Sequence, residues 1–189
     1  GLPGRIGQYL TPMIWILVPW IILTIRQESF TEFGYHLEDY PRAIGTGLLA
    51  SLLLIPYFTV FAFWFGIPDM DFLKGSWFMG WIKMGLYQTF YIALPEEFFF
   101  RGYLQTRLNQ IFGKSQLILG VETGWGLFIT AMIFMLFHLV LTMNFWNFAI
   151  LVPALIFGWL REKTGSITAP TVFHALCNIM LFTLQGRYS

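Results

Sequence analysis

One cysteine, three histidines and few charges are spread over 189 residues, and each scarcity excludes something. Cys177 alone can form no internal disulfide and no multi-cysteine metal site, so the redox compartment leaves no mark on the chain. Charged residues make up 11% and the formal net charge is +1, with no basic run longer than Arg161-Glu162-Lys163. The electrostatic footprint that nucleic-acid binding needs is missing. No small-residue cleavage site marks a secretory leader, and no period of about 20 to 50 residues marks a repeat architecture. The metalloprotease pattern His-Glu-x-x-His does not occur.

What is abundant is apolar. Hydrophobic residues make up 57% of the chain and aromatic residues 20%, which places it among polytopic membrane proteins and leaves the lipid phase and its surface as the source of partners. A bilayer-spanning helix needs roughly 20 mostly apolar residues. Windows of that kind predict an all-α transmembrane bundle, a single membrane domain over residues 1–189 with seven helical segments. They run from Ile6 to Ile25, Ala43 to Phe65, Trp77 to Leu94, Pro95 to Phe112, Gly120 to Leu141, Phe145 to Leu160 and Ile167 to Leu184. The second is closed by Gly66-Ile67-Pro68-Asp69. The third is closed by Pro95, whose missing N–H suits the first position of a new, short helix. Eight tryptophans, mostly near segment ends, read as a headgroup belt.

Against this background Pro95-Glu96-Glu97-Phe98-Phe99-Phe100-Arg101 stands out, with two carboxylates and a guanidinium inside an apolar stretch. Ionisable groups at bilayer depth cost a few kcal/mol each, so they face the bundle interior, pair, and mark function. Glu97 and Arg101 are four apart with the acid first, the favoured order for a helical ion pair, whereas Glu96 points about 100° away and can face a cavity. His138 follows Phe134 by four residues, and His174 precedes Asn178 by four. His36 lies in a polar loop and reads as solvated, Glu122 as interfacial and Cys177 as packing. If the fourth segment runs back, Glu96, His138 and Asn178 fall in the same half of the membrane. A carboxylate and an imidazole flanking one water can deprotonate it, and an imidazole with a carboxamide can donate to an oxyanion. That is the inventory of a general-base hydrolase.

The three patterns in order on hydrophobic helices, Glu-Glu-x-x-x-Arg at 96 to 101, Phe-x-x-x-His at 134 to 138 and His-x-x-x-Asn at 174 to 178, resemble the CPBP family of intramembrane proteases. That family includes type II CAAX prenyl proteases and bacteriocin-processing and abortive-infection proteins; the similarity covers the core from about residue 77 to 184. The resemblance implies a glutamate-dependent endopeptidase with no metal and no cofactor, multi-pass in a prokaryotic cell membrane. By position Glu96 resembles the water-activating base, His138 its partner, Glu97 and Arg101 the supporting pair, and His174 and Asn178 the oxyanion side. It further implies a protein or peptide substrate at the membrane, lipid-modified or not.

Two other classes use the same residues. A zinc protease could bind its metal through Glu96, His138 and His174, and a transporter, immunity protein or scaffold could use the buried charges as a proton relay. With the N-terminus inside, Arg5, Lys74, Lys114, Arg161 and Lys163 would face the cytoplasm. The site would then open to the other side.

Overall fold

The computed structural model describes residues 2–35, 40–64 and 78–184. His36, Lys74, Arg187 and the turn at residues 66–69 lie outside the described residues. Helix α1 (Leu2–Ile25) carries Pro12 and Pro19 within it. Helix α2 (Tyr40–Ala50) passes through a short 3-10 turn, Ser51–Leu53, into α3 (Leu54–Trp64). Of this run, Tyr40–Val60, 21 residues long with a mean hydropathy of 1.8 over an 18-residue window, is long and apolar enough to cross a bilayer. Leu10–Ile25, Trp125–Leu141 and Thr168–Phe182 are shorter apolar helices.

The largest departure from the sequence expectation lies at Pro95. Helices α4 (Phe78–Leu86), α5 (Leu94–Glu97) and α6 (Thr106–Phe112) are joined by π-helical stretches at Tyr87–Ala93 and Phe98–Gln105, and every junction residue keeps right-handed helical dihedrals. The third and fourth segments are therefore one helical rod, and Pro95 starts no returning helix. A proline inside an α-helix loses one ladder bond and collides with the carbonyl four residues back. Here the wide turn that precedes it, in which the Leu94 N–H reaches back five residues to the Thr89 carbonyl, relieves that crowding.

The expected fifth segment is corrected at its start. Residues 114–124 form an antiparallel hairpin, β1 (Lys114–Ile118) with β2 (Val121–Gly124), pairing Gln116 with Thr123 and Ile118 with Val121. Both Leu119 and Gly120 have positive φ, the geometry of a tight hairpin turn. The all-α expectation thus holds for everything described except this hairpin. Helix α7 (Trp125–Thr142) follows, then a 3-10 turn at Phe145–Ile150, α8 (Leu151–Thr164) and α9 (Thr168–Leu184). Gly165, at φ +68°, ends α8 in the left-handed conformation and turns the chain into α9.

Aromatic rings fill the centre. Phe100, Phe134, Phe157 and Phe173 are almost wholly buried and join α7, α8, α9 and the rod in one core with Ala43, Leu54 and Cys177. Such rings dominate core energetics through the area each removes from solvent. Leu49, Leu52, Phe63, Phe90 and Val140 instead point outward. Two tryptophans make defined contacts within the protein. The Trp15 ring lies 4.5 Å from Phe99 and 5.1 Å from Phe100, and Trp159 donates its Nε1–H to the Ile118 carbonyl, tying the hairpin to α8.

Candidate active site

Glu96 and Glu97 lie midway along the rod, between its two wide turns. Glu97 and Arg101 are fully buried, and the Arg101 Nη1 donates to Glu97 Oε1 at 3.2 Å. Its Nη2 donates to the Ala154 carbonyl on α8 at 3.2 Å. The guanidinium carbon stands 4.3 Å from the Phe134 ring centre and 4.8 Å from that of Phe157. A desolvated cation over aromatic faces gains on the order of 2 kcal/mol. Together these contacts offset part of the cost of burying a charge.

The same Glu97 oxygen, Oε1, accepts from His174 Nδ1 at 2.8 Å. Glu97 thus links the rod to α9, with Arg101 on one side and His174 on the other. The His174 ring also stacks on Phe157, centres 4.6 Å apart at 18°. On α7, His138 Nδ1 lies 2.9 Å from the Phe134 carbonyl, and the two rings are 4.4 Å apart.

Those two contacts fix the tautomers. A backbone carbonyl only accepts, and so does a carboxylate that already takes a bond from arginine. Both imidazoles therefore carry hydrogen on Nδ1 and, when neutral, present a bare Nε2. Both Nε2 atoms face the other acid: Glu96 Oε2 is 3.9 Å from His138 and 3.7 Å from His174. These distances are too long for direct hydrogen bonds. A water about 2.8 Å from each partner spans such a gap at a bond angle of about 90°. Glu96 Oε2 is buried and has no hydrogen-bond partner among the described residues. Glu96 Oε2 faces an acceptor nitrogen across each gap, so either gap suits a donor such as water, and Glu96 retains 16% side-chain exposure through which one can arrive.

The structure thus brings five of the six sequence candidates into mutual reach: Glu96, Glu97, Arg101, His138 and His174. Asn178 is the sixth, one turn past His174 on α9, where its Nδ2 donates to Gln88 Oε1 at 3.1 Å. Gln88 lies buried on the first wide turn of the rod, and sequence reading passed over it as a lone amide between Tyr87 and Thr89. Cys177 is buried in the core and Glu122 is exposed on the hairpin.

A polar ladder beside the site was also missed. Arg101, Gln105 and Asn109, four apart, meet Ala154, Gly158 and Glu162, also four apart, so the rod and α8 run parallel and in register. Arg101 reaches the Ala154 carbonyl, Gln105 Nε2 the Gly158 carbonyl at 3.0 Å, and Asn109 Nδ2 Glu162 Oε1 at 2.7 Å. The spacing of those rod residues was a readable signal; nothing in the sequence distinguished Phe157 from other phenylalanines. A strap, residues 26–35, docks on the second wide turn and on α8, where Arg161 Nη2 donates to the Glu32 carbonyl at 3.1 Å. Tyr35 stacks flat on Phe98, 3.8 Å apart at 4°, and donates its hydroxyl to the Phe98 carbonyl at 2.6 Å. A Cβ on Gly102 would lie 2.2 Å from the Tyr35 ring, so only glycine permits this approach.

Among the described residues, no group of three or more His, Cys, Asp and Glu side chains is placed to hold a metal ion. Chemically, the arrangement can hold water against a carboxylate and two imidazoles whose far nitrogens are fixed.

No curated protein and no solved structure gives a significant match to the chain. A family model does match, over residues 77–180, a stretch that runs from the foot of the rod into α9 and includes every residue of the cluster. The matched description is type II CAAX prenyl endopeptidase Rce1-like, a family of membrane proteases, and the chain belongs to it.

Proposed function

We propose that this protein is an intramembrane glutamate-dependent endopeptidase that cleaves a membrane-associated peptide or protein with water activated by Glu96. The observation that carries the reading is the convergence of Glu96 Oε2 with the Nε2 atoms of His138 and His174, 3.9 and 3.7 Å away. A water held there gives its proton to the Glu96 carboxylate as its oxygen attacks the scissile carbonyl carbon. The oxyanion that forms takes a hydrogen bond from Asn178, and a second from His174 in molecules whose His174 Nε2 has already taken a proton from solvent before the attack. Collapse of the intermediate breaks the C–N bond, and the proton on Glu96 passes to the departing amine. Glu97 and Arg101 keep His174 in one tautomer throughout. The family's name favours a lipid-modified C-terminal substrate.

Purified protein in detergent or vesicles, incubated with a prenylated C-terminal peptide and with an unmodified leader peptide, tests this. The Glu96→Gln variant should lose cleavage by about 10²- to 10⁴-fold while remaining folded, the range expected for removal of a general base. A metal chelator should leave the parent rate unchanged. Parent-level cleavage by Glu96→Gln overturns the assignment of the base. Chelator inactivation with zinc rescue replaces it by the metal reading, in which the two Nε2 atoms and Glu96 are ligands.

A further inference from the structure

We propose that Gln88 is a positioning residue for peptide cleavage: its side-chain oxygen orients the Asn178 amide so that the remaining Asn178 N–H is aimed at the carbonyl oxygen of the bond being cut. The inference deepens the function proposed above and rests on it.

A carboxamide has two ends of opposite character. Its nitrogen carries two donors, and its oxygen only accepts. Turned one way, Asn178 stabilises an oxyanion; turned the other, its own oxygen repels that charge. An acceptor placed against one of the two N–H groups decides between the orientations, and Gln88 Oε1 is such an acceptor, 3.1 Å from Asn178 Nδ2. The second N–H is left for another partner.

The location fits the role. Asn178 shares a helix face with His174, one turn along α9, and His174 Nε2 is the atom 3.7 Å from Glu96. Gln88 is 5% exposed, on the wide turn that precedes Pro95 and the two acids. Helical turns of this type are uncommon and recur at functional sites. Burial matters because water could otherwise serve equally well as acceptor and leave the amide free to rotate. A buried Gln88 also finds its own acceptor oxygen satisfied by the bond, so both partners are held. The logic is that of the residue behind a metal-bound histidine, which acts by orienting the group that does the chemistry.

The test uses purified full-length protein and whichever peptide it cleaves. Gln88→Met removes the acceptor at similar volume, and Gln88→Ala removes it with a smaller side chain should Met fail to fold. Gln88→Glu keeps an acceptor oxygen. The expected result is a kcat about tenfold lower for Gln88→Met or Gln88→Ala, the scale of one lost hydrogen bond, with KM within about twofold. Gln88→Glu should recover most of the rate. In an Asn178→Ala background, read by single turnover, Gln88→Met should lower the rate no further, because the group it positions is gone. A structural bond between helices would instead lower the thermal midpoint and leave the rate per folded molecule unchanged. That result, or losses that multiply independently in the double variant, overturns the proposal. Glu96→Gln run alongside separates the two failures. An inactive Glu96→Gln with a fully active Gln88→Met removes only the positioning role, whereas an active Glu96→Gln removes the reading beneath it.

Discussion

Arg101 is the cation on which the paired acids depend, and its surroundings leave it no alternative partner set. It touches Glu97, the Ala154 carbonyl and two aromatic faces, all within the core. Replacing it by methionine would leave Glu97 as an uncompensated buried charge, and breaking such a pair costs about 3–5 kcal/mol. Arg101→Met should therefore yield little folded protein, read as a lowered thermal midpoint in detergent. Glu97→Gln should be milder in stability but severe in activity. Its amide can donate to His174 Nδ1 and so exchange the tautomer, which a changed pH–rate profile would register. At this scale the sequence was informative. The acids, the arginine and the histidines are polar groups with nowhere to go in an apolar chain, so each had to find another. Gln88 and Asn109 escaped notice because a single amide on an apolar helix does not announce its partner. Their meaning appears only when a second helix supplies it.

The rod is held by α8 and by the strap, and the strap attachment can be probed through one glycine. Gly102→Ala would place a methyl group inside the Tyr35 ring, so the ring must leave. The expected outcome is faster hydrogen exchange over residues 28–35 and a lower melting temperature, with exchange in α9 little changed. The strap is also tied by Glu28, which accepts from Arg107 on α6 and from Arg26. The hydrogen bond from Arg107 holds the Glu28 carboxyl below its ordinary value of 4.5. A carboxyl whose pKa is depressed by folding contributes stability above its unfolded value, and the contribution is lost as pH falls through the folded value. Exchange protection of the strap should therefore be flat from neutral pH down to about 5 and decline below about 4.5, with Glu28→Gln abolishing that dependence. Elements were less legible than residues. Apolar windows marked where helices lie, yet Pro95 was read as a boundary because its cost in a regular helix is high. A π-turn removes most of that cost and leaves no mark in a hydropathy window. The hairpin at residues 114–124 was hidden for the related reason that its Val, Leu and Ile pass equally well for the start of an apolar helix.

Joining two segments into one rod regroups the basic residues among the described residues. The end where α1 leaves and α2 enters carries Arg26 and Arg42, and the rod's exit, the hairpin and the α8–α9 turn add Arg107, Lys114, Arg161 and Lys163. Arg5 and Lys83 lie toward the opposite end. A surplus of Lys and Arg marks the cytoplasmic side, so the hairpin is expected there, reversing the orientation inferred from seven separate segments. A single cysteine introduced at Ser115 in a Cys177→Ala background should react with a membrane-impermeant maleimide only in inside-out vesicles; labelling of intact cells would contradict this. The polar ladder has a bearing on how such a molecule could breathe. Three rungs at one-turn intervals, two of them ending on backbone carbonyls, make any sliding of α8 along the rod break all of them at once. Those two helices are thus a fixed jaw carrying both acids, and any motion that parted α9 from it would first have to break the Glu97–His174 and Gln88–Asn178 bonds.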